Sequence, residues 1–329
     1  MNLIQALGNS LLKLVLYPVF AKYVSMPGKS HKGALSDLDE VEKEIALRCE
    51  AVVTTMASDI GVRSIKEPDA LNACADFIER SFRELGYDVV RQPFEYRGIR
   101  MYNLVAELPG NSKADEIFVL GAHYDTVIGS PGADDNASGV AALLEHARLL
   151  KERKLSRTVR FVAFGNEENN GDGPFVMGSY HYAKACHEAG DKIVGMISLE
   201  MLGCYKDTEG TQLYPFPFSL FYPRAGSFIG FVGNTASADF VRKVVGTFRK
   251  TTEFPSEGAC PPERFSDISR SDHSSFWRFG YPALMATDTS NFRYEHVHMP
   301  EDTPDKVDFE KMARVVNGIL KVVVTMTEN

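Results

Sequence analysis

The sequence predicts an α/β domain built on a mixed, mainly parallel β-sheet with helices on both faces. Apolar runs at 117–122, 158–164 and 193–199 read as strands buried on both sides. Loops and then segments of helical period come after the first two of them, as a sheet covered on both faces requires. Two earlier runs, 89–94 and 102–108, are joined by a turn, which puts an antiparallel pair at one edge.

In chain order, residues 11–21 are apolar but interrupted by Lys13 and Pro18, too short a run to span a bilayer. No basic segment precedes them and no Ala-x-Ala site comes after, so a packed or surface amphipathic helix is preferred over an export signal, and no stable membrane insertion is expected. Residues 22–36, with Pro27, Gly28 and Gly33, read as a linker. The expected division is therefore 1–36, helix and linker, and 37–329, a single catalytic domain.

Within that domain Leu38, Val41, Ile45, Cys49, Val52 and Met56 keep helical spacing over 37–58, closed by Gly61. Ala70, Cys74, Phe77, Ile78 and Phe82 do the same over 67–85, closed by Gly86. A Gly/Asp/Asn-rich loop at 131–139 leads into a helix from Ser138 that carries Val140, Leu143, Leu144 and Ala147 inward. A polar loop at 165–175 precedes a helix to about 189; a strand at 228–232 precedes a helix at 237–249. A short helix begins after Asp272, a strand covers 283–286, and a last helix at 308–326 turns Phe309, Met312, Val316, Ile319, Leu320 and Val323 inward. Residues 205–225 and 251–270 are long insertions without a regular pattern, the kind of loop that often carries function.

The 329 residues are 44% hydrophobic, enough for a large core, and the formal charge of −8 without a dense Lys/Arg patch argues against a nucleic-acid surface. Five widely spaced cysteines without a Cys-x-x-Cys pattern read mostly as buried thiols.

Ligands gather at the carboxyl ends of strands in open α/β sheets. The strand at 117–122 runs into His123 and Asp125; the next loop holds Asp134, Asp135 and Asn136. The strand at 158–164 leads to Glu167 and Glu168, that at 193–199 to Glu200, and the late strand to a loop with Asp288, His296 and His298. Taken singly, the Asp-Asp-Asn triplet is a turn or cap, Glu167-Glu168 a solvated pair, and each histidine a structural or loop residue. Together they deliver imidazole and carboxylate groups to one sheet edge, a donor set suited to zinc, and carboxylates so crowded call for cations. Asp134 and Asp135 stand as alternatives at this point, as do His296 and His298.

Gly121-Ala122-His123-Tyr124-Asp125 and Gly132-Ala133-Asp134-Asp135-Asn136-Ala137-Ser138-Gly139 resemble the core signature of the M28 family of zinc peptidases. Phe164-Gly165-Asn166-Glu167-Glu168, the segment 197–203, Ser271-Asp272-His273 and the segment 298–303 resemble its later motifs, in order. The resemblance covers roughly residue 40 to the end. It implies two zinc ions: Asp135 bridging, His123 and Glu200 on one ion, Glu168 and His298 on the other. Glu167 matches the general base and Asp125 the acid that supports the ligand histidine. Asp302-Thr303, four residues on, selects His298 over His296 by the family's spacing. Asp272, His296 and Tyr294 are supporting or substrate-contacting candidates, and His273 is structural.

Three features depart from the family pattern. Val297 stands where several relatives have a tyrosine, so Tyr294, His296 or the metals alone take the oxyanion role. Glu200 stands where many have aspartate. The loop Asn169-Asn170-Gly171-Asp172 is unusually polar and could tune access.

The resemblance implies hydrolysis of peptides with a free N-terminus. The aromatic residues of 214–218 and Phe175 read as places where an apolar side chain docks or as packing of long loops. Rival expectations are glutaminyl-peptide cyclisation, a carboxypeptidase or aminoacylase using Arg224 or Arg293 to hold a free carboxylate, and a non-catalytic receptor or scaffold. The sequon Asn136-Ala137-Ser138 lies inside the metal motif and is expected to be unused.

Overall fold

The computed structural model describes residues 3–169 and 171–328. The strands are β1 (Val89–Tyr96), β2 (Ile99–Leu108), β3 (Lys113–His123), β4 (Arg157–Phe164), β5 (Lys192–Glu200), β6 (Lys206–Glu209), β7 (Ala225–Gly226), β8 (Ile229–Gly233), β9 (Ser256–Ala259) and β10 (Ala283–Thr287). The helices are α1 (Leu3–Val24), α2 (Glu40–Thr54), α3 (Pro68–Glu84), α4 (Gly139–Leu150), α5 (Gly178–Ala189), α6 (Ala238–Thr251), α7 (His273–Trp277) and α8 (Phe309–Glu328).

Eight strands form one sheet in the order β1-β2-β4-β3-β5-β10-β8-β9. Its centre is parallel: β3 pairs with β4 and β5, and β5 with β10. The antiparallel β1–β2 pair occupies the edge where the turn between them placed it. Alternation along β3 shows why both faces are covered. Phe118, Leu120 and Ala122 join a core shared with α2, α3, α4, α6 and α8, whereas Ile117 and Val119 join a smaller one with α5 and α7.

The helix expected at 37–58 starts at a capping box, with Asp39 accepting the Glu42 N–H and Glu42 reaching back to the Asp39 N–H. Its inward face differs slightly from the expected one: Val41 is exposed and Val53 is buried. Three expectations need correction. The insertion at 205–225 holds β6 and begins β7, which pair antiparallel as a separate two-stranded sheet. The insertion at 251–270 contains β9, a parallel partner of β8 at the sheet edge. Its sequence, Ser-Glu-Gly-Ala, has no apolar or β-branched signature, so only the partner strand makes it a strand. The linker expected at 22–36 begins inside α1, where the Cys260 N–H donates to the Tyr23 carbonyl at 2.9 Å, and the chain beyond the helix is tied down by the Ser256 N–H, which donates to Ser30 Oγ at 2.9 Å. All five cysteines are buried and free.

Candidate active site

The sheet topology brings five donor side chains to one place. His123 ends β3 and Glu200 ends β5; Glu168 comes after β4, Asp135 lies in the turn before α4, and His298 comes after β10. Donor atoms of His123, Asp135 and Glu200 lie within 4.8 Å of one another, as do those of Asp135, Glu168 and His298. Asp135 is common to both groups: Oδ1 is 3.4 Å from His123 Nε2 and Oδ2 is 3.1 Å from His298 Nε2. His123 Nε2 is also 3.3 Å from Glu200, and His298 Nε2 is 2.8 Å from Glu168.

Backbone contacts fix this cluster. The Asp302 carboxylate accepts the N–H groups of Asp134 and Asp135 at 2.9 and 3.1 Å. The Asp125 carboxylate accepts those of Glu167 and Glu168, each at 3.0 Å. Asn136 Oδ1 accepts from Gly139 and Met201, and its amide donates to the Leu199 carbonyl. That close approach requires glycine at 139, where a Cβ would sit 2.3 Å from both Asn136 Oδ1 and the Leu199 oxygen. Ser271 donates to Glu200 Oε2 at 2.7 Å. Asn166, Met201 and His298 all adopt positive φ, so strained backbone concentrates around the donors.

Arg63 ties the first loops together. It is fully buried and its guanidinium donates to carbonyls: Nε to Tyr124, Nη1 to Met56, Gly61 and Pro131, and Nη2 to Gly132. Burial lowers its pKa, while Asp125, Asp302 and Asp135 favour the charge nearby.

The electrostatics fit divalent cations. Burial works against an ionised Asp135, yet His123 and His298 hold its carboxyl well below the usual range. Asp135 and Glu168 raise His298 to about 10, and Glu200, Asp125 and Asp135 raise His123 against its burial. The clustered carboxylates thus call for positive charge beside them. Asp135 Oδ1 has no hydrogen-bond partner, and a buried acceptor without one suits a metal donor. Glu167 stands beside the cluster; burial drives its carboxyl up, His123 opposes this, and Glu168, Glu200 and Asp272 add to it.

A cavity of about 270 Å³ opens on the cluster. Asp135, Glu167, Glu168, Glu200 and His298 line one part; Tyr214, Phe218, Phe228, Phe265, Ile268 and Met285 give the rest an apolar wall. The sequence model of Peptidase family M28 matches residues 103–323. The chain belongs to peptidase family M28. The chain is 36% identical over 281 residues to the uncharacterized protein YfbL of Escherichia coli K12, covering 82% of this chain and 85% of that one. It is 28% identical over 238 residues to leucine aminopeptidase 1 of Arthroderma otae, covering 67% and 57% respectively. Among solved structures, the zinc aminopeptidase BSAP from Bacillus subtilis superposes with a TM-score of 0.70 at 17% identity, covering 86% and 95%. The glutaminyl cyclase of Porphyromonas gingivalis superposes with a TM-score of 0.64 at 22% identity, covering 86% and 98%.

The remaining M28-motif candidates have other partners. Asp134 turns away from the donors: Oδ1 accepts the Gly203 N–H at 2.8 Å, and burial with Asp288 raises its carboxyl. The Asp125 carboxylate is 3.7 Å from His123 Nδ1, which lies nearer the Asp125 backbone carbonyl at 3.2 Å. The Asp125 backbone carbonyl is thus the nearer partner of the histidine ring, while the carboxylate accepts from the two glutamates and still favours a charged His123. The buried Asp272 carboxylate has no hydrogen-bond partner among the described residues, and burial pushes it up to about 7.

The Tyr294 hydroxyl donates to Asp302 at 2.9 Å, a commitment that removes it from an oxyanion role. His296 lies edge-on to Tyr294 outside both donor groups, and Val297 packs with Met201, Cys204 and Tyr294. His273 donates Nε2 to the Ile268 carbonyl at 2.7 Å. Arg293 is buried and engaged with Gln212, Cys204 and Phe228, and Arg224 lies 3.9 Å from Glu209; neither is among the residues lining the cavity.

Phe175 lies away from the cavity, beneath Arg278, whereas Tyr214, Pro215 and Phe218 line it. In the polar loop, Asp172 pairs with Arg97 and Tyr96; Asn170 lies outside the described residues. Asn136 is fully buried, which leaves no room for a glycan.

Sequence reasoning missed Arg63 and the Asp302 cap. Arg63 sits in no periodic or motif context, and its acceptors are carbonyls, which carry no side-chain signal. Asp302 did stand out as part of a motif, but only the fold places its oxygens against residues 134 and 135.

Proposed function

We propose that this M28 peptidase is a two-zinc aminopeptidase. The shared Asp135, flanked by two complete donor groups, is the observation that carries this reading. His123, Asp135 and Glu200 would hold one ion, and Asp135, Glu168 and His298 the other. When bound, the ions supply Lewis-acid charge for the scissile carbonyl and acidify water.

The protein's own part is positional. Asp125 holds the Glu167 backbone, so the Glu167 carboxylate takes a proton from the attacking water and returns it to the leaving amine. A divalent charge nearby would pull the raised Glu167 carboxyl back toward ionisation. The carboxylate-rich end of the cavity suits a free α-ammonium group, and the aromatic wall suits an apolar side chain beside it. Arg293 and Arg224 are both engaged elsewhere, and Arg270, which does line the cavity, donates to Asn291 at 3.1 Å.

The test is hydrolysis of aminoacyl substrates and their N-blocked counterparts by metal-depleted and zinc-restored protein. Zinc-dependent cleavage of free-amine substrates alone is expected; equal cleavage of blocked ones sinks the aminopeptidase reading. The likeness to a glutaminyl cyclase motivates a second reading, intramolecular transfer to give pyroglutamate. Pyroglutamate formation from an N-terminal glutamine peptide, without hydrolysis, would decide for it.

A further inference from the structure

Helix α1 has two faces in different circumstances. Its inner face is seated on the insertion that walls the cavity. Phe20 stacks on Phe221 with ring centroids 5.8 Å apart and meets Phe218 edge-on at 6.1 Å. Its C-terminal end is fastened to the domain, where Arg242 donates to the Lys22 carbonyl at 2.7 Å. Among the described residues the outer face has no such partner. Leu14, Val15 and Val19 are 72%, 64% and 59% exposed, and Pro18 between them is exposed as well. Single exposed apolar residues are ordinary, but a helix face in water is normally polar, and here, among the described side chains of this face, Lys22 alone interrupts the apolar surface.

The charge around this face says what covers it. Residues 1–36 contain Lys13, Lys22, Lys29 and Lys32 and not one acidic residue, in a chain whose formal charge is −8. Immediately after α1 the chain lies in a surface groove with Arg242, Lys243 and Lys250. An apolar helix face bordered by lysines matches the interface of an anionic bilayer, where acyl chains take the apolar groups and headgroups take the amines. A second copy of the chain suits it poorly, since a two-fold contact sets like charges against each other. Among the described residues no helix is long and apolar enough to cross a membrane, so α1 would lie along the surface rather than through it.

We infer that α1 is an interfacial helix that docks the enzyme on anionic membranes. Because Phe20 holds Phe218, docking sets the aromatic wall of the cavity one helix diameter from the lipid. This inference rests on no assignment of catalytic residues.

The experiment is co-sedimentation of the full-length, zinc-loaded protein with phosphatidylcholine vesicles, with and without phosphatidylglycerol, at low and high salt. Binding to the anionic vesicles is expected, weakened by salt and by omission of phosphatidylglycerol. Leu14→Asp combined with Val19→Asp should lower partitioning roughly a hundredfold, from the loss of two inserted apolar side chains. Hydrolysis of a soluble substrate by that variant should be unchanged, which shows that it is folded. Failure of the unmodified protein to bind either vesicle overturns the inference, as does binding that survives the double substitution. So does a dimer, seen by analytical ultracentrifugation, that the double substitution dissolves while no vesicle association occurs.

Discussion

The Asp125 carboxylate holds Glu167 by its main chain: Oδ1 accepts the Glu167 N–H at 3.0 Å, and Oδ2 takes the next N–H along. One aspartate therefore sets both the proposed base and a proposed ligand. Asp125→Asn turns an amide N–H toward one of these two donors. Activity and zinc affinity should each fall roughly ten- to hundredfold. Steady-state kinetics and zinc titration of the variant check this; wild-type values in both would remove Asp125 from the site's support.

Glu167 itself lies outside both donor groups. Glu167→Gln should keep its metal content, measured by plasma emission, while kcat falls roughly a hundredfold or more. Loss of zinc together with activity would mark Glu167 as a ligand instead.

Arg63 anchors carbonyls from residues 56, 61, 124, 131 and 132. Arg63→Met leaves these acceptors buried without donors and should cost on the order of 4 kcal/mol in urea denaturation of the zinc-loaded protein. Arg63→Lys should recover only part of it, since a single ammonium cannot reproduce the planar fork.

His273 gives the fold an acid sensitivity. It is fully buried, its Nδ1 has no partner, and burial lowers its pKa from 6.5 to about 4. Between those values the unfolded chain binds a proton that the folded one refuses, so stability is complete above 6.5 and drains away as pH falls toward 4. The loss attributable to this residue should be on the order of 2 kcal/mol between pH 7 and pH 5. His273→Gln keeps a donor for Ile268 and does not titrate, so denaturation curves of the variant should show a shallower pH dependence. An unchanged slope would clear His273 of the effect.

Phe218 forms part of the apolar wall. Phe218→Ala should lower the preference for leucyl over alanyl substrates roughly tenfold in kcat/KM. A uniform loss for both would mean that the wall shapes the enzyme without sorting its substrates.

Much of the scaffold is legible in the sequence because burial writes itself as a period. The unbroken apolar run of β3 marks a strand covered on both faces, and the spacing along α3 and α8 states which side of each helix faces a core. The donor residues are legible for a related reason: a buried strand that ends in His123 or Glu200 breaks an apolar run at the edge where ligands gather. What local pattern cannot hold is pairing across distance. β9 is a strand only by virtue of β8, Asp302 matters only because it meets residues 134 and 135, and Arg63 owes its role to oxygens that every residue possesses. The support of His123 shows a finer limit: motif order places Asp125 nearby, but not which of its oxygens does the holding.

The two donor groups share Asp135 but not their access to water. The His123 and Glu200 side chains are 1% and 10% exposed, while that of His298 is 42% exposed and its backbone sits at φ 61. Ion exchange should track that difference. If the two proposed ions are bound, a chelator should empty the position at His298 first, while an ion at His123 should be kept for far longer. Scarcity of metal would then leave the enzyme half-loaded rather than empty, with its output graded by the free ion concentration around it.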